Sequence, residues 1–352
     1  MPNIISQLQQ AGIHSYGSEA LALYESRINR YFTREYEALR HAGHTLESLG
    51  IPTNEGPMWD ETKSLMDEHF DASLDLFRGF LDSEYMAYTM AEYGDEPKQI
   101  LQSPLSLEEA ERQKFKTICE RAQLRGDEKI FNVGCGFGPL ETYLFQTYRG
   151  LDVTSITPSR TQVTYINQCR ENASHPLSRG KLRLIKGSFG EVPLEELGAG
   201  AYDIVFAIGA FEHINNLELA FERISQLLKP GARCYIHLIA SRIVIPQFLD
   251  AKKTLIGKYF PGGKIWPFDT IAAQTRHLQL EQSWFLNGMN YWRTLEEWHR
   301  RYWKNMEALY GSVIKSREEA RHWNDYFSLS KACFAPFDGE LFGNGQYLFR
   351  KP

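Results

Sequence analysis

Apolar residues recur at helical spacing in the first hundred residues. Between Ala20 and Leu39 they fall mostly three or four positions apart, and a second stripe of this kind runs from Met58 to Phe80. Such spacing puts apolar side chains on one face of a helix. Residues 1–104 are therefore predicted to be mostly helical. Packing of both stripes against a main domain is the simpler interpretation, and a lid or a dimer surface is the alternative.

Between residues 105 and 240 the pattern changes to alternating strands and helices. Apolar runs predict five strands, at Lys129–Val133, 151–156, Lys181–Lys186, Tyr202–Ile208 and 233–239. Polar and amphipathic stretches predict helices at 106–123, from Pro139, at 159–170 and at 216–228. This alternation is typical of a parallel sheet with helices on both faces, and ligands of such sheets bind beyond the carboxyl ends of the strands. The predicted fold class is α/β with a doubly wound, mostly parallel sheet.

Residues 241–352 are rich in aromatic side chains and less regular. Prolines and glycines interrupt the first part of this segment, and two helices are predicted after it, at 294–310 and 316–333. The segment 345–350 is predicted to be an edge strand. The chain is thus divided into a helical extension or lid at 1–104, a nucleotide-binding core at 105–240, and a cap of helices with the final strands at 241–352.

Composition and charge narrow the class of protein. The chain has 352 residues, 43% of them hydrophobic, and 39 basic against 44 acidic residues give a net charge of −5. The absence of a basic run disfavours a nucleic-acid partner. Five cysteines without a C-x-x-C pair indicate a reducing compartment and no metal site. With no signal peptide and no 18-residue apolar run in the sequence, we expect a cytoplasmic protein without a transmembrane segment.

The strongest chemical signal is the loop that follows Lys129–Val133. Gly134, Gly136 and Gly138 alternate there, and Pro139 comes next. Glycines let the backbone turn sharply and approach a ligand, and proline suits the first position of a helix. A strand, a glycine turn and a helix N-terminus together form a nucleotide cradle, although an ordinary strand-to-helix turn is the alternative. The spacing departs from G-x-G-x-x-G, which favours S-adenosylmethionine (SAM) over NAD.

Other candidate residues follow the next strands. No carboxylate for a ribose follows the second strand, so hydrogen bonds from Thr157, Ser159 and Gln162 are predicted instead, with helix capping as the alternative. After the third strand, Phe189 offers an aromatic face for adenine or is a core residue. The predicted cofactor-binding residues are Gly134, Cys135, Gly136, Gly138, Thr157, Ser159, Gln162, Ser188, Phe189, Ile208 and Gly209.

Two further segments hold candidate catalytic groups. Glu212 and His213 are adjacent just beyond the fourth strand, where a carboxylate and an imidazole seldom serve packing alone. Capping of the following helix is the alternative for one of them. His237 lies in an apolar run, where a single histidine is usually a core residue.

Several of these segments together resemble the cyclopropane fatty acid synthase family of SAM-dependent enzymes, which includes the mycolic acid cyclopropane synthases. The similar segments are 69–71 with 77–82, 132–138, 157–162, 209–213, 260–263 and 291–295. Segment 132–138 resembles D-V-G-C-G-W-G, with Asn132 in place of the acid. Segment 157–162 matches T-x-S-x-x-Q, which accounts for the missing ribose carboxylate. The similarity covers about residues 65–352, and residues 1–60 lie outside it.

The resemblance implies a Rossmann-like class I methyltransferase with a seven-stranded sheet. It implies methyl transfer from SAM to a carbon of a hydrophobic acceptor, such as a lipid or an alkene. In that family a bicarbonate ion is thought to act as the base, and its ligands map onto Glu212, His237, the backbone near Ile239, and Tyr291. Glu212, His237 and Tyr291 are therefore the expected catalytic residues, and bicarbonate is a second candidate cofactor. Met90 stands where the family has a cysteine.

Alternatives to this reaction remain open. In one alternative, the acceptor is a small molecule of a biosynthetic pathway that is methylated on carbon or nitrogen. In another, the chain is a SAM-binding subunit without turnover. A nicotinamide oxidoreductase is disfavoured by Pro139. No nucleic-acid partner is expected, whereas contact with a membrane surface and a homodimer are both compatible with the sequence.

Overall fold

Helices make up the first part of the chain. The computed structural model describes residues 3–59, 73–247, 254–259 and 263–352. The helices before the sheet are α1 (Ile4–Gln10), α2 (Glu19–Ala42), α3 (Leu74–Phe80), α4 (Pro97–Gln102) and α5 (Leu107–Arg121). Helix α2 begins where the Ser18 side chain accepts a hydrogen bond from the Leu21 N–H, and it ends at Gly43 in the left-handed conformation. This confirms the first predicted stripe; the second is confirmed only over α3, since 60–72 lie outside the described residues.

Five parallel strands alternate with helices, as predicted. They are β1 (Lys129–Val133), β2 (Asp152–Thr157), β3 (Lys181–Lys186), β4 (Tyr202–Ile208) and β5 (Leu228–Ser241). The helices between them are α6 (Pro139–Thr147), α7 (Arg160–Glu171), α8 (Leu194–Leu197) and α9 (Leu217–Leu227). The strand order β3-β2-β1-β4-β5 places the carboxyl ends of β1 and β4 side by side. This arrangement brings the loops after β1, β2, β3 and β4 to one edge of the sheet.

The last strand differs from the prediction. Strand β8 (Phe342–Arg350) is not an edge strand: it lies antiparallel between β5 and β7 (Gln279–Asn287). Every residue of β8 except Arg350 is buried, since other strands cover both of its edges. At its start, Phe342 pairs with Ser241 at the end of β5. The true edge strand, β7, was not predicted, because its first half is polar and exposed.

The sheet of the described residues thus has eight strands rather than seven. Seven follow the order β3-β2-β1-β4-β5-β8-β7, and the eighth is the two-residue β6 (Trp266–Pro267) beside β5. The remaining helices are α10 (Leu255–Tyr259), α11 (Phe268–Ala272), α12 (Met289–Lys304), α13 (Met306–Leu309) and α14 (Arg317–Phe334). Short 3-10 turns occur at Pro176–Ser178, Phe211–His213 and Pro336–Gly339. Helix α12 begins five residues before the predicted start, where the Met289 N–H donates to Asn287 Oδ1 at 2.8 Å.

The helices from the two ends of the chain pack on each other. Phe80 of α3 lies 5.9 Å from the ring of Trp298 on α12 and 5.4 Å from Phe327 on α14, measured between ring centroids. Arg301 of α12 donates to both carboxylate oxygens of Glu108 on α5, at 2.8 and 2.7 Å. This bidentate pair ties α12 to the first helix of the predicted core. None of the helices in the described part of the chain is apolar enough over its length to cross a bilayer.

Candidate active site

A cavity of about 640 Å³ lies at the carboxyl ends of the parallel strands. Ten of the eleven predicted cofactor residues line it. They are Gly134, Cys135, Gly136, Thr157, Ser159, Gln162, Ser188, Phe189, Ile208 and Gly209. Gly138 does not line it: a Cβ there would contact Ile166 and Leu177, behind the loop. We call this space the cofactor cavity.

The glycine loop has the conformation that its sequence predicts. Gly134, Gly136 and Gly138 have φ values of 70°, 56° and 79°, which residues other than glycine rarely adopt. A Cβ on Gly134 would lie 2.9 Å from the Cβ of Ala210, whereas a Cβ on Gly136 would meet nothing within 4 Å. The N–H groups of Gly134 and Cys135 both donate to the Ile156 carbonyl, at 3.1 and 3.0 Å. The loop is thereby held over the end of β2 with bare backbone toward the cavity, which fits a nucleoside cofactor.

The polar residues after β2 serve two purposes. Ser159 Oγ accepts from the Gln162 N–H at 3.2 Å, so Ser159 is the N-cap of α7, as the alternative interpretation proposed. Thr157 Oγ1 donates to Gln162 Oε1 at 2.5 Å. All three residues also line the cofactor cavity. Capping and cofactor contact are therefore compatible at this position.

One wall of the cofactor cavity comes from a segment that holds none of the predicted cofactor residues. Pro57, Met58 and Trp59 line the cavity beside Phe189 and Gly190. The Asn215 N–H donates to the Met58 carbonyl and the Leu217 N–H to the Thr53 carbonyl, both at 2.8 Å. Segment 53–59 is thus fastened along the start of α9. Its partners lie about 160 positions away, so no local pattern reveals the contact.

The segment that connects α3 to α4 forms another wall. Tyr88 and Thr89 line the cofactor cavity, and Lys114 Nζ donates to Thr89 Oγ1 at 2.8 Å. A Cβ on Gly209 would lie 2.6 Å from Thr89 Cγ2, so Gly209 allows this close approach. Met90, the residue in place of the family cysteine, is fully buried and is absent from the linings of both cavities described here.

A second, smaller cavity of about 50 Å³ lies on the other side of the Phe211–His213 turn. We call it the acceptor cavity. Glu212 and Tyr291 line it, and most other lining residues are apolar or aromatic. The full set of other lining residues is Ile239, Ile256, Lys264, Ile265, Leu295, Tyr326, Ser330, Cys333 and Phe334. Glu212 therefore faces the acceptor cavity, whereas its neighbour His213 lines the cofactor cavity.

Glu212 is the carboxylate of the acceptor cavity. Its side chain is buried, and Oε1 accepts from the Ile239 N–H at 2.8 Å. Oε2 has no hydrogen-bond partner among the described residues. Burial raises the pKa of Glu212 to about 7, although the hydrogen bond from Ile239 lowers it. The site thus holds a carboxyl group that changes its charge near neutral pH.

Aromatic rings surround this carboxyl group. Tyr291 stacks on Phe334 with ring centroids 4.5 Å apart, and burial raises the pKa of Tyr291 well above its usual value. The hydroxyl groups of Tyr326 and Tyr88 lie 3.1 Å apart and connect the walls of the two cavities. Tyr326 and Phe334 of α14 supply the other aromatic rings of this lining.

His237 lies away from both linings. Its Nε2 is 2.9 Å from Asn344 Nδ2 and its Nδ1 is 3.1 Å from Gln346 Nε2, both on β8. Complete burial, with Lys114 and Arg121 nearby, lowers the pKa of His237 to about 3, so the ring is neutral. Because both ring nitrogens and the Ile239 N–H have partners, the predicted bicarbonate ligands do not form an open site here. No metal-binding group of His, Cys, Asp or Glu occurs among residues 3–59, 73–247, 254–259 and 263–352. Segment 69–71 and residues 260–262 of the family motifs lie outside the described residues.

Comparison with known proteins agrees with this architecture. Residues 59–341 match the family model of the mycolic acid cyclopropane synthetases. The chain is 27% identical over 260 residues to a probable (S)-tetrahydroprotoberberine N-methyltransferase 2 of Papaver bracteatum, covering 70% of each protein. It is 28% identical over 279 residues to cyclopropane-fatty-acyl-phospholipid synthase of Escherichia coli K12, covering 78% of this chain and 65% of that protein.

Solved structures show the same fold. Coclaurine N-methyltransferase bound to N-methylheliamine and SAH superposes with a TM-score of 0.79 at 21% identity, over 99% of each chain. The cyclopropane synthase MmaA2 from Mycobacterium tuberculosis superposes with a TM-score of 0.65 at 20% identity, over 82% of this chain and 98% of its own. The first superposition includes the N-terminal helices. Since the family model spans well over half of its residues, the chain belongs to the mycolic acid cyclopropane synthetase family and is a SAM-dependent methyltransferase.

Proposed function

We propose that this methyltransferase transfers the methyl group of SAM to the amine nitrogen of a hydrophobic small molecule. The observation that carries the proposal is Glu212, a buried carboxyl group with one oxygen that has no hydrogen-bond partner among the described residues, in a cavity walled mostly by aromatic and aliphatic side chains, with Lys264 as the other charged residue of the lining. An amine in its protonated form is a cation that such a carboxylate attracts. Alkaloid N-methyltransferases among the relatives act on acceptors of this chemical class.

Each group of the site has a defined task in this reaction. Bound SAM supplies a methyl group that its sulfonium charge activates. The glycine loop and the walls of the cofactor cavity hold the donor, so that catalysis rests largely on alignment of donor and acceptor. Glu212 accepts the proton of the acceptor nitrogen, and a carboxyl pKa near 7 suits a general base at neutral pH. Tyr291, Tyr326 and Phe334 keep water away and stabilise the positive charge of the acceptor with their ring faces.

Methylation of a carbon atom is the second candidate. The aromatic walls favour it, because the carbocation formed on an alkene is also stabilised by ring faces. Glu212 then removes the proton from carbon, which closes a cyclopropane or leaves a methyl branch. The relative from Escherichia coli bears the name of such a synthase.

Transfer of a ¹³C-labelled methyl group separates these candidates. The protein is incubated with labelled SAM and either a panel of hydrophobic secondary and tertiary amines or vesicles of unsaturated phospholipid, and the products are examined by NMR. We expect the label in an N-methyl group. Label in a cyclopropane ring or a methyl branch contradicts the amine proposal, and Glu212→Gln, which retains the cofactor cavity, is the control for background transfer.

The setting of the enzyme is also a proposal. All five cysteines are free thiols, which supports a reducing compartment such as the cytoplasm. A homodimer, contact with a membrane surface and the division of the chain at 104 and 240 stay predictions from the sequence.

A further inference from the structure

Asn132 stands at a position of the cofactor cavity where the family pattern has an acid. It is the fourth residue of β1, it lines the cavity, and its side chain is 2% exposed. An amide carries no charge, so the substitution removes a carboxylate from the wall that receives a positively charged cofactor. The structure shows another carboxylate directly behind it.

That carboxylate belongs to Glu141 in the first turn of α6. Asn132 Nδ2 donates to Glu141 Oε1 at 2.7 Å, and Ser155 Oγ of β2 donates to the same oxygen at 2.5 Å. A carboxylate only accepts hydrogen bonds, so the NH₂ group of Asn132 faces Glu141 and its Oδ1 faces away. Among the described residues, Asn132 Oδ1 has no hydrogen-bond partner. The amide therefore presents an acceptor atom that the protein itself does not use.

Glu141 also lacks a cation of the protein. It is 1% exposed, and no Lys, Arg or His forms an ion pair with it in the described part of the chain. Its second oxygen, Oε2, has no hydrogen-bond partner there either. Burial raises the pKa of Glu141, because ionisation of a buried carboxyl group is costly unless a positive group lies nearby. SAM brings two positive centres, the sulfonium and the amino group of its methionine part, into the cavity on the other side of Asn132.

We infer that Glu141 is a positioning residue for SAM, and that the carboxylate expected at position 132 acts from position 141 through the Asn132 amide. Glu141 fixes the amide through Nδ2 and polarises it, which leaves Oδ1 as the acceptor that the cationic methionine part of SAM would meet. The inference rests on the use of SAM and not on the identity of the acceptor. Failure of the amine proposal therefore leaves it untouched.

Reciprocal substitution tests this arrangement by calorimetric binding of SAM. Glu141→Gln keeps the size of the side chain and an acceptor for Asn132 and removes the charge. We expect the Kd for SAM to rise about tenfold, as for loss of one hydrogen bond to a charged group. The double variant Asn132→Asp/Glu141→Gln restores the acid to position 132, and we expect its Kd to return to within about threefold of the original. Asn132→Asp alone places two carboxyl groups within hydrogen-bonding distance, and we expect its melting temperature to fall.

S-adenosylhomocysteine, which lacks the sulfonium charge, distinguishes the two positive centres. Equal weakening of both ligands by Glu141→Gln assigns the carboxylate to the amino group, and weakening of SAM alone assigns it to the sulfonium; either result supports the inference. Unchanged SAM binding by Glu141→Gln overturns it. So does a double variant that binds no better than Glu141→Gln, because a merely structural role for Glu141 would not be rescued by an acid at position 132.

Discussion

The two cavities are built from different parts of the polypeptide. The cofactor cavity, of about 640 Å³, is lined largely by the loops after β1, β2, β3 and β4, where glycines with positive φ and a helix N-terminus set the backbone, and segments 57–59 and 88–89 complete its walls. The acceptor cavity, of about 50 Å³, is made of side chains from β5, α12, α14 and the turn that holds Glu212. Chemistry that depends on backbone geometry tolerates exchange of side chains, whereas a pocket made of side chains changes with each of them. Substitutions on the two sides should therefore have separable effects.

Glu212→Gln is expected to show the largest difference between its effect on turnover and its effect on SAM binding. Loss of a general base typically lowers turnover by 10²–10⁴-fold, so we expect kcat to fall about 1,000-fold. SAM binding should be unchanged, because Glu212 faces the acceptor cavity and is absent from the lining of the cofactor cavity. Steady-state kinetics and calorimetry measure the two quantities on the same preparation. A kcat within tenfold of the original, or a matching loss of SAM affinity, would show that the division between the cavities is wrong.

The pH dependence of stability tests the buried carboxyl group of the acceptor cavity. The pKa of Glu212 is about 7 in the folded chain against an ordinary value of 4.5. As pH rises, Glu212 therefore loses its proton at a lower pH in the unfolded chain than in the folded chain. Between these values the unfolded state binds fewer protons, and the free energy of unfolding falls as pH rises. A difference of about 2.5 pH units corresponds to about 3 kcal/mol at pH above 7.

Urea unfolding from pH 4 to 8 checks this expectation. Glu92 and Glu111 are also buried, with pKa values raised to about 7 and about 8, and they contribute with the same sign. The decisive quantity is therefore the stability of Glu212→Gln minus that of the original chain, which should increase with pH. A difference that stays constant across this range would mean that folding does not raise the pKa of Glu212.

A smaller effect is expected on the cofactor side from two glycines. Gly134→Ala combines a left-handed φ with a Cβ 2.9 Å from Ala210, whereas Gly136→Ala has the same kind of φ and open space. The left-handed conformation costs a non-glycine residue about 1–2 kcal/mol, so Gly136→Ala should weaken SAM binding or lower stability by that amount. Gly134→Ala should do so more strongly. Calorimetry and thermal melting measure both, and equal behaviour of the two variants would show that the contact with Ala210 is unimportant.

Local patterns predicted the cofactor side well. Strands β1, β3 and β4 agree residue for residue with the prediction. Strands β1 and β4 are apolar runs that are almost entirely buried, whereas β3 lies at the edge of the sheet and alternates apolar with charged residues. Ten of the eleven residues predicted for the cofactor line one cavity for a related reason, since they lie within a few positions of a strand end. Gly138, the residue that the cavity does not include, still takes the predicted left-handed conformation as the N-cap of α6.

The acceptor side was harder to predict. Tyr326, Ser330 and Phe334 of α14 lie four residues apart on one helix face, a spacing that does not differ from that of an ordinary core stripe. Segment 53–59 and α9 meet only in the folded chain, so nothing in the sequence near Trp59 marks it as a cavity wall. The surroundings of His237 could not be predicted either, because its partners, Asn344 and Gln346, belong to a strand whose interior place in the sheet depends on long-range pairing.

The pairing of Ser241 with Phe342 has a consequence for how such enzymes diversify. The hundred residues between these two positions begin and end at neighbouring points of the sheet, and they include β6 and β7, which pair with β5 and β8. A chain segment with adjacent ends can be lengthened, shortened or exchanged with little effect on the elements that hold its ends. Most of the acceptor cavity is contained in this segment. Exchange of residues 242–341 between relatives is therefore expected to change the acceptor while the cofactor cavity is kept.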